Sequence, residues 1–389
     1  MILGIDASLV TREQRTGVES YAFQIITHLS RVIPPEVEVR LYSDHALPTH
    51  FVQHIPAHWK QVLLAWPPRF LWTQVRLSFE MLQHPPDILF TPGHVEPVIQ
   101  PRATIMMVHD VAAWRVPRAY SKFNRWYTLF LTMKAIQKNP VILTPSFFTK
   151  QELEKLVFER KKTKKAEIFV IPHGHVSRTL PIPTTPTKLF TRYGIDQNTR
   201  YLLCVGRVEY KKNIDTVLSA FEKLKSENPE HTTLKLVLAG KPGVGYEDIQ
   251  NMIIHSRYRT DIIETDWLHE DELTSLLAHA RMLVFVSRYE GFGFPILEAL
   301  DLGVPVVASK GVGLEEVGGV CVTYVSSTNP DHIAEAIQKN LSFSSTTRLD
   351  FRAQARLQVL PFSWSRSASA TYEAIVKAYE IAEANKRVV

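Results

Sequence analysis

The residues with the most chemical content in this 389-residue chain lie in one short string, Ser287-Arg-Tyr-Glu-Gly-Phe-Gly-Phe-Pro-Ile-Leu-Glu298. Two carboxylates, Glu290 and Glu298, bracket a glycine-rich turn that follows the apolar run Leu283–Val286 directly. Pro295 suits the first turn of a helix, where its missing N–H would have had no partner anyway. A strand, a glycine loop and a helix N-terminus therefore coincide. Such a junction gathers free backbone N–H groups and the positive end of a helix dipole, which together favour a phosphate. Gly291 and Gly293 have no side chain to hold that phosphate away. Glu290 is expected at the carboxyl end of its strand, where ligands of parallel sheets bind. Glu298, expected in the first turn of the helix, could accept hydrogen bonds from two vicinal ribose hydroxyls.

A second string, Val205-Gly-Arg-Val-Glu-Tyr-Lys-Lys-Asn213, also follows an apolar strand candidate. Arg207 offers a planar fork and Lys212 a mobile point charge, a pair able to converge on a diphosphate and to stabilise it as a leaving group. No Asp-x-Asp triplet occurs to hold a divalent ion. His173 and His175 could pair on a metal, but Ile-Pro-His-Gly at 171–174 reads better as a turn. No metal and no cofactor are expected.

Motifs in the first half are shorter. Gly17, in Thr16-Gly17-Val18-Glu19, opens a helix and would let backbone approach an anion, while His109 and Asp110 end a strand and could face a ligand. Ser146 after Pro145 reads as a helix cap. The helix pattern Tyr120–Lys138 mixes Lys122, Arg125, Lys134 and Lys138 with Trp126, Tyr127, Phe130 and Leu131. Its aromatic side is expected to pack into the core, the alternatives being an acceptor groove or contact with an anionic membrane surface.

These motifs need rigid supports, and short apolar segments alternating with helical patterns supply them throughout. In the first half the strand candidates are Ile2–Ala7, Val37–Tyr42, Asp87–Phe90, Thr104–Val108, Val141–Thr144 and Ile168–Ile171. A proline-rich stretch from Pro172 to Pro186 reads as a linker. A second series follows, with Tyr201–Val205, Leu234–Ala239, Asp261–Glu264, Leu283–Val286 and Val304–Ala308. The pattern specifies an α/β chain of two doubly wound domains, residues 1–180 and 181–365, with an intervening cleft. A helix over 364–385 is expected to return to the first domain, which thereby includes about residues 366–389.

Composition agrees with that architecture. Apolar residues make up 45% and charged residues 22%, which excludes the disordered and membrane-spanning classes. Without an apolar run long enough to span a bilayer or a signal-peptide pattern, the expected location is cytoplasmic, with peripheral contact at the inner membrane face. Cys204 and Cys321 both sit in strand-like stretches and read as core thiols. Residues 1–180 hold 22 Lys and Arg against 14 Asp and Glu, a net +8, whereas the remainder holds 23 against 25, a net −2. The basic first half suits an anionic partner, though not nucleic acid.

Glu290 and Glu298, separated by seven residues, resemble the Glu-x7-Glu signature of family 4 glycosyltransferases (glycosyl transferases group 1). Gly206-Arg207 to Lys212-Asn213 is similar to that family's Gly-Arg-x4-Lys-Asn pattern, and Thr16–Glu19 and His109-Asp110 match its N-terminal turns. The resemblance implies a GT-B fold of two Rossmann-like domains and retaining, metal-independent transfer from a nucleotide-diphosphate sugar. It casts Glu290, with His109, Gly291 and Phe292, at the donor sugar, and Glu290 and His109 as the catalytic residues. Arg207, Lys212, Gly17, Gly293 and Phe294 would hold the diphosphate, and Glu298, Leu297 and Gly240 the ribose and base. Leu71-Trp-Thr-Gln-Val-Arg76 and Thr91-Pro-Gly93 lean toward mannosyltransferase-type members. The expected reaction moves mannose from GDP-mannose to a hydroxyl of a glycan or lipid-linked glycan. A nucleotide-sugar epimerase and a non-catalytic sensor are the rivals. A dehydrogenase is disfavoured because Gly240-Lys-Pro-Gly-Val-Gly245 has the wrong spacing.

Overall fold

Runs such as Ile88–Thr91 and Val141–Thr144 are apolar along their whole length, as strands covered on both faces must be, and in the computed structural model all of their residues are buried. The structure describes residues 1–66, 71–161, 166–177, 188–196, 198–343 and 345–387. Pro181, Pro183 and Pro186, and with them most of the expected linker, lie outside the described residues.

The first unit carries a seven-stranded parallel sheet of β1 (Ile2–Asp6), β2 (Glu38–Ser43), β3 (Lys60–Leu63), β4 (Ile88–Thr91), β5 (Ala103–Met107), β6 (Val141–Thr144) and β7 (Glu167–Val170), in the order β3-β2-β1-β4-β5-β6-β7. The second carries β8 (Tyr201–Val205), β9 (Lys235–Ala239), β10 (Ile262–Asp266), β11 (Met282–Phe285), β12 (Val306–Ser309) and β13 (Val322–Val325), in the order β10-β9-β8-β11-β12-β13. Both are Rossmann orders in which the winding reverses beside the first strand, at β1/β4 and at β8/β11. Ligands of open α/β sheets bind beyond the carboxyl ends of the strands at such a switch point.

Unit 1 comprises Met1–Trp114, Lys122–Gly174 and Phe362–Val389, and unit 2 comprises His175–Pro361 with the short segment Arg115–Ser121. The first boundary falls at Gly174, the returning segment starts at Phe362, and Arg115–Ser121 groups with the second unit, a detail that no sequence pattern marks. The returning helix Trp364–Arg387 packs on the helix Gly17–Leu29 and against β4, β5 and β6. Its entry needs Gly174, where a Cβ would lie 2.2 Å from the Trp364 backbone nitrogen. Ser367 Oγ also donates to the Pro172 carbonyl, tying the helix to the end of the sheet.

The structure adds elements that the sequence pattern does not announce. Edge strand β3 is mostly exposed and begins with Lys60-Gln61, and edge strand β13 alternates only weakly, so neither presents an apolar run. Helices Pro330–Leu341 and Ser345–Val359 lie beyond the expected series. The first does carry Ile333, Ile337 and Leu341 at helical spacing behind the cap Asn329, a pattern the sequence reading passed over. Cys204 is buried, but Cys321 is only partly so.

The helix Lys122–Lys138 departs from the expected core packing. Leu129, Leu131, Met133 and Ile136 face inward, whereas Phe123, Trp126 and Phe130 are 56%, 60% and 53% exposed. Trp126 stacks on Phe130 at 5.5 Å between ring centroids, and Phe123 stacks on Tyr127 at 5.9 Å. The aromatic residues thus fall outside the helix's buried stripe.

Gly174→Ala is expected to lower the stability of unit 1 by about 1–3 kcal/mol or more, since the added methyl meets backbone that cannot rotate away. Urea unfolding would check this, and an unchanged midpoint would show that the Trp364 junction yields easily.

Candidate active site

The carboxyl ends of β8 and β11 are neighbours at the switch point, so the strings that follow them, 206–213 and 286–298, emerge side by side. Their registry is held by a staple that the sequence reading did not foresee. The Arg288 backbone N–H donates to the Lys211 carbonyl at 2.8 Å, and its guanidinium donates to the Tyr210 carbonyl at 2.6 Å. The same guanidinium forks onto Asp215 at 2.9 and 2.6 Å and lies 3.9 Å over the Tyr210 ring. Asn213 completes the joint in a left-handed conformation, donating to the carbonyls of Val286 and Ser327 at 3.0 and 2.7 Å. Arg288 stands inside the singled-out string, but its partner Asp215 is distant in sequence, and only the fold pairs them.

Between the stapled loops Lys212 Nζ donates to Glu290 Oε1 at 2.6 Å, with both side chains largely shielded from solvent. Burial by itself would raise the Glu290 carboxyl. The charges of Lys212 and Lys211 and the hydrogen bond from Lys212 outweigh it and hold the group below the ordinary carboxylate range. Glu290 is therefore a carboxylate at neutral pH, suited to facing positive charge and not to donating a proton. Nearby Glu209 goes the other way: burial pushes its carboxyl up, aided by Glu290, and the surrounding cations only partly offset this. Arg207 is exposed and has no hydrogen-bond or ion-pair partner among the described residues.

Two glycines keep this ground open. Gly206 adopts φ +124°, and a Cβ there would meet Lys212 Cε at 3.0 Å. Gly240 adopts φ +152°, and a Cβ would fall 2.1 Å from the Gly206 carbonyl oxygen. Only glycine accepts that backbone and that contact. The loops then run together, with Val208 N–H on the Lys241 carbonyl and Gly243 N–H on the Val208 carbonyl.

The glycine string behaves largely as its spacing implies. Gly293, at φ +120°, precedes the helix Phe294–Asp301 and Pro295 occupies its first turn. Gly291 and Phe292 are buried, Phe294 is half-buried with its ring edge-on to Phe292 at 5.4 Å, and Glu298 is half-buried. Glu298 stands one turn further into the helix than its expected first-turn position. Leu297 is fully buried, so its side chain faces the core.

In unit 1, Gly17 is exposed at the start of its helix, which is closed by a Thr16–Glu19 capping box with Thr16 N–H on Glu19 Oε2 at 2.9 Å. Glu19 is thereby accounted for structurally. Ser146 caps its helix as expected, accepting from Thr149 N–H at 3.1 Å. Asp110 accepts from Ala112 N–H at 2.9 Å and so shapes its own turn. His109 is buried, with Nε2 2.8 Å from the Pro92 carbonyl and Nδ1 3.2 Å from His173 Nε2. Because a carbonyl can only accept, Nε2 carries the proton and Nδ1 accepts from His173. Burial above all, then His94, pushes the His109 ring down to about 3, and burial also drives His173 well below the usual range. Both rings are neutral. His94 Nε2 accepts the backbone N–H of His109 at 2.7 Å, a contact that no motif indicated. His175 falls on the other side of the unit boundary from His173. It belongs to unit 2, with Nε2 3.1 Å from Asp301 Oδ2.

Two Rossmann-like units, each a parallel sheet with its own switch point, make up the two-domain architecture called GT-B. Residues 187–358 match the family model for glycosyl transferases group 1. O-antigen chain mannosyltransferase B of Escherichia coli is 26% identical over 335 residues, which cover 85% of this chain and 83% of that protein. The MMP alpha-(1->4)-mannosyltransferase of Mycolicibacterium hassiacum is 28% identical over 69% of this chain and 62% of its own length. Among solved structures, Anabaena Alr3699/HepE in complex with UDP and glucose is similar in fold, with TM-score 0.71 at 18% identity, covering 97% of this chain and 99% of that one. WaaG, a glycosyltransferase involved in lipopolysaccharide biosynthesis, gives TM-score 0.71 at 14% identity, over 96% and 99% of the two chains. The second half of the chain thus matches the group 1 glycosyltransferases, and the chain is similar over most of its length to proteins named as mannosyltransferases.

Arg288→Ala should destabilise unit 2 by about 1–2 kcal/mol, because it removes a forked, partly buried pair and leaves Asp215 unmatched. Arg288→Lys should recover only part of that loss, since an ammonium cannot fork. Denaturant unfolding of both variants decides the point, and equal stabilities for wild type and Arg288→Ala would remove the staple from the account.

Proposed function

We propose that this enzyme transfers mannose from GDP-mannose, with retention and without a metal, to a hydroxyl of a glycan or lipid-linked glycan. The observation that carries the reading is the Lys212–Glu290 pair, set at the β8/β11 switch point beside Gly206 and Gly240. An ammonium has three donors, so Lys212 can keep its bond to Glu290 and still donate to a diphosphate oxygen. Arg207 and the N-terminal turn at Gly293 and Phe294 would share the remaining charge, and Glu298 would take the ribose hydroxyls.

Glu290 acts in this scheme by charge and position. As the bond from the anomeric carbon to the diphosphate lengthens, positive charge grows on the sugar, and an ionised carboxylate nearby stabilises it. The departing diphosphate oxygen, on the same face as the incoming acceptor, takes the acceptor's proton. His109 is proposed to meet a sugar hydroxyl through Nδ1 in place of the longer contact to His173, its ring staying anchored on Pro92. The relatives named as mannosyltransferases support mannose, whereas the HepE structures named with UDP make the base the first point to test.

The exposed ridge of Phe123, Trp126 and Phe130 is proposed to rest on an anionic membrane surface. The helix that carries it, Lys122–Lys138, has basic residues and no Asp or Glu.

The deciding experiment is calorimetry with UDP-, GDP-, ADP- and dTDP-sugars in EDTA, on wild type, Arg207→Ala and Glu298→Ala. GDP-mannose should bind, and each substitution should weaken it by roughly tenfold. Preference for another nucleotide would replace the donor assignment, and binding only with added magnesium would end the metal-free reading. An inverted anomer in the product's NMR spectrum would overturn retention. Separately, Trp126→Ala with Phe130→Ala should abolish co-sedimentation with phosphatidylglycerol vesicles, and undiminished binding would exclude the ridge.

A further inference from the structure

A second concentration of charge lies in unit 2 at the opposite, amino end of its sheet. Arg200 and Arg281 immediately precede β8 and β11, which are adjacent and parallel with Met282 opposite Leu202. Arg281 N–H donates to the Tyr201 carbonyl at 2.9 Å, so the two arginines leave the sheet side by side. Helix Ser345–Val359 contributes Arg348 and Arg352, one turn apart on one face. A Cβ on Gly303, just past the helix Phe294–Asp301, would lie 2.5 Å from Arg352 Cγ, so the Arg352 stem is fitted against that turn.

Arg200, Arg281 and Arg352 all lie near enough to Arg348 to act on its charge. Among the described residues none of the four forms an ion pair, and Arg200 Nε is buried with no acceptor. Glu230 senses Arg200 but is exposed and bonded to Gln338 at 3.1 Å. The Arg348 guanidinium is held below its ordinary range, first by burial and then by Arg281, Arg352 and Arg200. Like charges gathered at a partly buried place, with an orphaned N–H among them, destabilise the free protein unless an anion joins them. Planar guanidinium forks match phosphate oxygens better than any other oxyanion-binding side chain.

We propose that Arg200, Arg281, Arg348 and Arg352 form a second anion site for a multiply charged phosphate group, independent of the donor site at the other end of the sheet. The phosphate could belong to a small soluble anion or to a phospholipid headgroup, since the same forks fit both.

Calorimetric titration of the full chain with pyrophosphate, and separately with short-chain soluble phosphatidic acid, at constant ionic strength tests this. Wild type and Arg207→Ala should both bind one of the two probes. Arg348→Gln and, as a second variant at an exposed position, Arg281→Gln should each weaken that binding by roughly tenfold. The probe bound more tightly identifies the source of the phosphate. Without ligand, Arg348→Gln should melt at or above the wild-type temperature, because it relieves repulsion. Binding that Arg207→Ala abolishes and both glutamine variants leave intact would overturn the second site while leaving the donor site standing. Absence of binding by either probe to Arg207→Ala would overturn it as well.

Discussion

The adjacency of β8 and β11 is the constraint on which the rest of unit 2 depends. A Rossmann winding order reverses there, so two loops distant in sequence must leave the sheet together with no helix between them. Everything chemical follows from filling that gap. The Arg288–Asp215 fork sets the loops in register, Asn213 turns the chain into its helix, and Lys212 and Glu290 then meet. Their pairing is electrostatic in consequence as well as in origin. Shielded from water, the ammonium keeps the carboxylate ionised and the carboxylate fixes the ammonium, so each holds the other in place.

Unit 1 meets a different demand with neutral groups. His109, His173 and Tyr21 lie against one another beside Trp364, with Tyr21 edge-on to His109 at 4.8 Å between ring centroids. Charge would be expensive in that surrounding, and burial keeps both imidazoles uncharged. The tautomers are then fixed by a single carbonyl, that of Pro92, and passed from one ring to the next.

Much of this was legible in the sequence because it rests on local geometry. Strand-glycine-helix junctions, the Ser146 cap and the apolar runs of the central strands each have a physical signature a few residues long. The edge strands β3 and β13 escaped because pairing on one side requires no apolar run. The Arg288–Asp215 staple and the His94 contact escaped because both join residues that only the folded sheet makes neighbours. Leu297 shows the two levels at once: its place in the motif points to a ligand, while its position on the helix turns its side chain to the core. The aromatic residues of Lys122–Lys138 were expected inside because aromatic residues usually are, whereas the inner stripe was already filled by Leu129, Leu131, Met133 and Ile136.

The returning helix Trp364–Arg387 also orders events during synthesis. Unit 1 needs that helix against β4, β5 and β6, yet all of His175–Pro361 must be made before it. A nascent chain can thus close most of its second unit while the first still exposes the flank reserved for the helix. The usual N-terminal-first sequence of domain maturation is inverted, and during that interval the uncovered flank is the part of the chain most in need of a chaperone.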